Sequence, residues 1–326
     1  MILIVSNKED YTADYFISKI ENSNENFFRF NTEDFLINYE FIYIDSIDKS
    51  KWKLKNKTNS KIICSNNITG VWYRRPKIPN LNNTKPTDKI EFSLMLEAKN
   101  IYYDFLRTIN ANWISHPDAL MRAENKLMQL KIAKSVGFSV PESILTNSIC
   151  DAEIFAQKHE TICVKPLRNG SYSDNKNHYI IYNQVLSKED FSLLSLVPNF
   201  PTLLQVYIEK EYEIRVIVVN DKVFSVLIDS QANDRTKIDW RVDNCHNVNY
   251  SICELPKKIE KKCLKLVAKF DLAFASMDLI FSKKKEYYFL DLNPNGQWGW
   301  LDSELNLNIS NYLLKYLKGA NYNGRK

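Results

Sequence analysis

Two aspartates and an asparagine near the C-terminal end of the chain carry the strongest chemical signal. Asp278 lies in Ser276-Met277-Asp278-Leu279-Ile280-Phe281, and Asp291 and Asn293 lie in Tyr287-Tyr288-Phe289-Leu290-Asp291-Leu292-Asn293-Pro294-Asn295-Gly296-Gln297-Trp298. Both runs are rich in strand-forming residues, and the polar Ser282-Lys283-Lys284-Lys285-Glu286 between them is short enough for a hairpin. Side chains alternate along a strand, which predicts Phe289, Asp291 and Asn293 on one face and Tyr288, Leu290 and Leu292 on the other. A two-residue turn at Lys284 and Lys285 would pair Lys283 with Glu286, and counting back sets Asp278 opposite Asp291. Facing carboxylates on a packed sheet repel and lose hydration unless a cation lies between them. Carboxylate and amide oxygens suit magnesium, which keeps several waters and takes the rest of its shell from phosphates. The plain alternative is a hairpin-edge aspartate and a strand that runs into Asn-Pro and Asn-Gly loop punctuation.

Other candidates are scattered through the chain. Val71-Trp72-Tyr73 is a strand that Pro76 ends, leaving Arg74 and Arg75 at its tip. Such a pair is either a solvated edge or a bidentate grip on a carboxylate. Ile162-Cys163-Val164-Lys165-Pro166 is a strand ending in Lys165, beside a polar loop from Leu167 to Asn177 that can close over phosphates. Gln205, Val206, Tyr207 and Ile208 belong to a strand junction able to offer backbone groups to an adenine edge and a carboxylate to ribose. Glu213 and Arg215 follow on one strand face. Lys126 lies near the start of a helix and in isolation reads as a solvated residue. Neither G-x-x-x-x-G-K-[ST] nor G-x-G-x-x-G occurs.

The elements that must position these groups are those of a mixed α/β protein. The chain has 326 residues, 44% hydrophobic and 25% charged, enough for two or three packed domains. A net charge of +5 is too small to single out nucleic acid as a partner. Cys64, Cys150, Cys163, Cys245, Cys253 and Cys263 form no C-x-x-C pair and no signal-peptide pattern opens the chain, so a cytoplasmic protein is expected. No apolar run has the length of a membrane span. Strands are expected at Ile2–Val5, Ile42–Ile44, Ile62–Cys64 and Val71–Tyr73, with helices at Tyr11–Ile20 and Ile90–Leu106, then a boundary near 118. A helix over Ala123–Ser135 should turn Leu127, Leu130 and Ala133 inward and stop at Gly137. Asp239-Trp240-Arg241-Val242 reads as a strand, and Pro256–Phe270 as a helix with a solvated lysine face.

In order, Lys126, Val164-Lys165-Pro166, Gln205 to Ile208, Glu213-Ile214-Arg215, Asp239-Trp240-Arg241, Asp278 and Asp291-Leu292-Asn293 resemble the ATP-grasp superfamily. Within it, Val71 to Pro76 at the front and Asp291 to Trp298 at the back resemble the graspetide maturases, the microviridin-type and grasp-with-spasm ligases. The resemblance spans nearly the whole chain. It implies an ATP-grasp fold with an N-terminal α/β domain (1–118), a central domain (119–204) and a C-terminal domain (205–326), with ATP between the last two. It implies that Lys126 and Lys165 bind phosphates, Gln205 to Ile208 the adenine, Glu213 the ribose, and Asp278, Asp291 and Asn293 magnesium (Mg2+). Arg215 and Arg241 would stabilise the transferring phosphoryl group and the acyl phosphate. Two departures stand out: Asp291 replaces a frequent Glu, and the phosphate loop is poor in glycine, leaving Gly170 and Ser171 as its candidate contacts.

The implied chemistry is ATP-dependent activation of a peptide Asp or Glu, followed by attack of a Thr or Ser hydroxyl or a Lys amine within the same precursor peptide. The partner would be a ribosomal precursor with a leader, which docks on the central domain, and an acidic core; the enzyme would be a homodimer. Two other readings share parts of this pattern. One is an ATP-grasp ligase that adds free amino acids to a protein tail or small molecule. The other is a nucleotide- or peptide-binding module without catalysis, against which the metal triad and both arginines argue.

Overall fold

The computed structural model describes residues 1–46, 51–81, 89–167, 170–173, 178–243 and 248–319. Arg168, Asn169, Asp174, Asn175, Lys176 and Asn177 of the expected phosphate loop, and Cys245, lie outside the described residues. The fold is mixed α/β, as the ATP-grasp resemblance implies.

The first layer is a parallel sheet in the order Phe27–Asn31, Ile2–Ser6, Gly70–Tyr73, Asn112–Ile114. Alternation along its first strand divides the core. Leu3 and Val5 face the helix Lys89–Arg107 through Tyr102, Phe105 and Leu106. Ile2 and Ile4 face the helix Tyr11–Glu21 and two helices from the far end of the chain, Gly299–Leu305 and Ile309–Leu317, through Phe16, Leu301 and Leu313. The approach is close at Gly70, where a Cβ would stand 2.3 Å from the carbonyl oxygen of Leu317. Residues 299–319 therefore pack on the N-terminal sheet although the chain places them after the C-terminal one.

The expected single helix over Ala123–Ser135 is two, Pro117–Ala123 and Lys126–Ser135, because Asn125 leaves helical geometry and caps the second by accepting from the amide of Met128 at 3.0 Å. Leu127, expected inward, is 48% exposed, and Gln129 takes the buried position beside Ala133. A central antiparallel sheet follows, in the order Gln184–Leu186, Ile162–Lys165, Thr202–Val206, Ser143–Thr146. Because Thr202–Val206 is one continuous strand of that sheet, the change of sheet comes after Val206 rather than at 204, and residue 118 lies inside the helix Pro117–Ala123. The third sheet is antiparallel, ordered Tyr250–Ile252, Lys222–Ile228, Lys210–Val219, Phe274–Ser282, Tyr287–Asn293. The helix Lys257–Lys269 covers one face with Ile259, Cys263, Leu266 and Val267. Trp240–Asp243 forms a short helical turn, not the expected strand, since Asp239 accepts from the Arg241 amide at 3.2 Å and closes the backbone locally.

Asp278 does pair with Asp291, but by another route. Ser282 and Glu286 close a loop of Lys283, Lys284 and Lys285, with Lys285 left-handed at φ 65°, which shifts the register by one. An irregularity between Asp278 and Leu279, with Leu279 opposite Phe289, shifts it back. The extra residue, Leu290, changes the faces: Phe289 and Leu292 enter the core together, while Leu290 and Asp291 both line a cavity on the other side. The expected sharing of a face by Phe289 and Asp291 does not occur.

Candidate active site

A cavity opens between the central and C-terminal sheets, and most of the expected site residues border it: Lys126, Lys165, Gln205, Val206, Tyr207, Ile208, Glu213, Arg241, Asp278 and Asp291. The crossover between the sheets forms one end. The amides of Val206 and Tyr207 are spent on the carbonyls of Glu142 and Thr161. The Ile208 amide and the Tyr207 carbonyl, which point opposite ways from one trans peptide, have no hydrogen-bond partner among the described residues. Gln205 is buried and donates to Ser143 at 3.0 Å, so its side chain braces the crossover.

Glu213 is buried against Lys210, whose Nζ donates to it at 2.6 Å and to the Ile238 carbonyl at 3.1 Å. Burial pushes the Glu213 carboxyl up from the ordinary range, and Lys210 opposes that shift. Lys210 was not anticipated. Residues three apart on a regular strand face opposite sides, and only the irregularity between Lys210 and Tyr212 turns it toward Glu213. Lys165 stands at the end of its strand, where burial lowers its pKa while Asp291 and Glu213 act to raise it.

The paired carboxylates at the other end each hold a cation. Arg215, the register partner of Asp278, donates Nη1 to it at 2.6 Å, and Lys126 pairs with Asp291. Arg215 does not border the cavity but reaches it through Asp278. Arg241 is gripped by Asp239 through two parallel bonds, Nε at 2.8 Å and Nη2 at 2.5 Å, and Asp239 also accepts from the side chain of Asn183 at 3.2 Å. Burial raises the Asp239 carboxyl, but Arg241 outweighs it and holds the group below the ordinary range. The Arg241 guanidinium is pushed up by Asp239, with Asp278 and Asp291 adding to the effect, which sets it in the field of the paired carboxylates.

Asn293 stands two positions along the strand from Asp291, opposite Ser276. Its Oδ1 accepts from the Asn295 amide at 3.0 Å, and it borders a second cavity. Among the described residues no group of three His, Cys, Asp or Glu gathers as a metal cage. Two hard carboxylates opening on a cavity still fit magnesium, which uses few protein ligands when phosphates supply the rest. The strand bearing Asp291 is a sheet edge, and Gln129 covers it. Its amide donates to the Leu292 carbonyl at 2.7 Å and accepts from the Leu292 amide at 3.1 Å, as a neighbouring strand would. The backbone carbonyl of Ser139 accepts from the Phe289 amide at 2.9 Å. A polar residue on the apolar stripe of a helix was the available signal for Gln129.

The arginine pair divides. Arg74 is 1% exposed; Nη2 donates to Gln297 at 2.9 Å, Nη1 to the Asn295 carbonyl, and Nε lies 3.5 Å from Asp10. Burial pushes its pKa down to about 10 despite Asp10. It is neither a solvated edge nor a free grip, but a bolt between the N-terminal sheet and the loop after the aspartate strand. Arg75 is exposed, and its side chain has no partner among the described residues. It borders the second cavity with Pro76, Tyr103, Glu124, Asn293 and Asn295.

Two family models match: the MvdD pre-ATP grasp domain over residues 1–120 and the RimK-like ATP-grasp domain over residues 123–317. Among solved structures, an ATP-grasp ligase of Chryseobacterium gregarium, associated with ribosomally made, modified peptides and complexed with ADP and a leader and core peptide, superposes with a TM-score of 0.90. It is 28% identical, covering 98% of this chain and 97% of that one. The macrocyclase MdnC of Microcystis aeruginosa, bound to the precursor peptide MdnA, gives a TM-score of 0.85 at 24% identity over 98% and 100%. A curated relative, the tetrahydromethanopterin:alpha-L-glutamate ligase of Methanocaldococcus jannaschii, is 23% identical over 219 residues, 65% of this chain and 73% of that protein.

Proposed function

The chain belongs to the RimK-like ATP-grasp family and is an ATP-grasp ligase, and we propose that it closes side-chain rings in a ribosomal precursor peptide through an acyl phosphate. The observation that carries this is the shared wall of the two cavities: Asp291 borders the first and Asn293, two residues on, borders the second. A carboxylate activated at the first is within reach of a peptide lying in the second.

Lys126 and Lys165 hold the ATP phosphates, the crossover from Gln205 to Ile208 the adenine, and Glu213, with Lys210 beside it, meets the ribose. Asp278 and Asp291 would hold magnesium, which when bound offsets charge on the phosphoryl oxygens. Arg241, oriented by Asp239, faces the transferring phosphoryl group, and Arg215 keeps Asp278 in place. Arg75, rather than Arg74, grips the acidic side chain of the peptide. The central domain exposes Ile180, Ile181, Leu193, Leu196 and Phe200, apolar surface suited to a leader segment. The free thiols of Cys64, Cys150, Cys163, Cys253 and Cys263 agree with a reducing cytoplasm. No described helix is long and apolar enough to cross a membrane. A homodimer is the expected assembly, which sedimentation would check.

The test is to incubate the protein with ATP, magnesium and the product of a short neighbouring reading frame that sets Thr, Ser or Lys near Asp or Glu. Loss of one water per link by mass spectrometry, with ADP released, is expected. ADP release with free glutamate and none with the peptide would favour the amino-acid ligase reading instead.

A further inference from the structure

We propose that Asn183 is a positioning residue for phosphoryl transfer: it ties Asp239, and through it the Arg241 guanidinium, to the strand end that presents Lys165, an inference that rests on the ligase reading above. Asn183 leads into the central sheet, Asp239 lies between two strands of the C-terminal sheet, and both border the first cavity. The Asn183 side-chain amide donates to Asp239 Oδ2 at 3.2 Å, and its backbone amide donates to the same oxygen at 3.4 Å. That oxygen also accepts from Arg241 Nη2 at 2.5 Å. The central sheet sets the place of Asn183. It directly precedes the strand Gln184–Leu186, whose first residue pairs with Val164 on the antiparallel strand Ile162–Lys165. One step further in that register brings Asn183 across from Lys165. Two residues earlier, the Ile181 amide donates to the Gly170 carbonyl at 2.8 Å, which holds the chain on its other side.

Asp239 Oδ1 accepts from the Arg241 amide at 3.2 Å and from Nε at 2.8 Å, bonds internal to the turn. Trp240 packs against Ile228 and Val248 and anchors the turn from behind. These contacts fix Arg241 on its own domain and leave its distance to Lys165 unset. Both side chains must meet the phosphates of one nucleotide. A group displaced by about 1 Å from the reacting centre can cost on the order of a hundredfold in rate. The bond from Asn183 to Asp239 supplies the missing length, because it runs from the strand end beside Lys165 to the carboxylate that grips Arg241. A donor also suits that carboxylate. Burial opposes its charge, and Arg241 together with the Asn183 amide holds it below the ordinary range.

Turnover and nucleotide binding, measured separately, distinguish this role from direct contact with ATP. The wild-type protein, Asn183→Ala, Asn183→Asp, Arg241→Lys and the double variant Asn183→Ala with Arg241→Lys are given saturating ATP, magnesium and the neighbouring-frame peptide, and ADP release is followed. Calorimetry reads the binding of a non-hydrolysable ATP analogue with magnesium. Asn183→Ala should bind the analogue and melt as the wild type does, yet release ADP slower by on the order of tenfold to a hundredfold. Asn183→Asp keeps the shape but turns a second carboxylate toward Asp239, and should lose at least as much. In the Arg241→Lys background, where the two parallel bonds are already gone, Asn183→Ala should change the rate by no more than about twofold. Wild-type turnover by Asn183→Ala overturns the proposal, as does a loss of analogue affinity with turnover intact, which would place Asn183 on the nucleotide itself. Equal fold losses in both backgrounds overturn it too, since Asn183 would then act apart from Arg241. If the wild type releases no ADP with the peptide, the ligase reading itself fails.

Discussion

Asp278 and Asp291 sit at paired positions of adjacent antiparallel strands, and each is neutralised by a cation from a different element, Arg215 from the neighbouring strand and Lys126 from a helix. On the proposed reading, magnesium arriving with ATP would compete for oxygens already in use. Asp291→Ala should abolish turnover and leave the fold intact, because its side chain and that of Lys126 are both partly exposed. Circular dichroism and an ADP-release assay, run together, check this; wild-type turnover in the variant would remove Asp291 from the metal site.

Nucleotide affinity should fall with rising pH in a window below the ordinary lysine range. Burial lowers the pKa of Lys165 in the free protein, while phosphates favour its charged form, so binding raises that pKa and takes up a proton. The affinity therefore begins to drop as pH rises through the lowered free-state value. Calorimetry in buffers of different protonation enthalpy reads the uptake directly, and Lys165→Arg should abolish it. Lys165→Ala should weaken binding by about 1.5 to 3 kcal/mol, the scale of a charge-assisted hydrogen bond.

Arg74 and Arg75 should separate cleanly. Arg74→Met leaves Asp10 without its arginine in a buried setting and frees the Asn295 carbonyl, and breaking such a pair costs roughly 3 to 5 kcal/mol. Its melting temperature should fall. Arg75→Lys should melt as the wild type does and bind ATP normally, yet close rings slowly, because a reacting group misplaced by about 1 Å can cost on the order of a hundredfold. Equal melting of both variants would contradict the division.

Gln129→Met removes the pseudo-strand from the edge at Leu292, leaving a buried amide and carbonyl unpaired. The expected loss is about 1 to 3 kcal/mol for each such group, with a higher magnesium concentration needed for half-maximal ADP release because Asp291 is no longer held in line. Denaturant titration gives the first quantity and a magnesium titration the second.

The parts of the site that local sequence could reveal are those carried by regular strands. Gln205 to Ile208 and Lys165 border one cavity because each ends or follows a strand whose period is visible, whereas Arg241 borders it from a helical turn where a strand was expected. The opposition of Asp278 and Asp291 was legible only through two compensating irregularities, a longer loop and an added residue at Leu290. What local pattern could not show is where an extra residue re-aims a strand, as at Lys210, or where partners are remote, as with Arg74 and Gln297, separated by 223 positions. The burial of Arg74 depends on that remote loop, and a helix with an apolar stripe does not announce that Gln129 will bind another element's backbone.

The close seat of Ile309–Leu317 against Gly70 has a consequence for how the molecule is made. During synthesis the N-terminal sheet emerges with one face covered by Lys89–Arg107 and the other, bearing Ile2, Ile4 and Trp72, lacking Trp298, Leu301 and Leu313. At roughly 5 to 20 residues per second, those partners leave the ribosome some tens of seconds later at the slow end of that range. Until then a nascent chain carries an unfinished hydrophobic surface. Completion of the first domain waits on those residues, which makes this protein dependent on residues 299–319 for its earliest fold and sensitive to any stop codon that removes them.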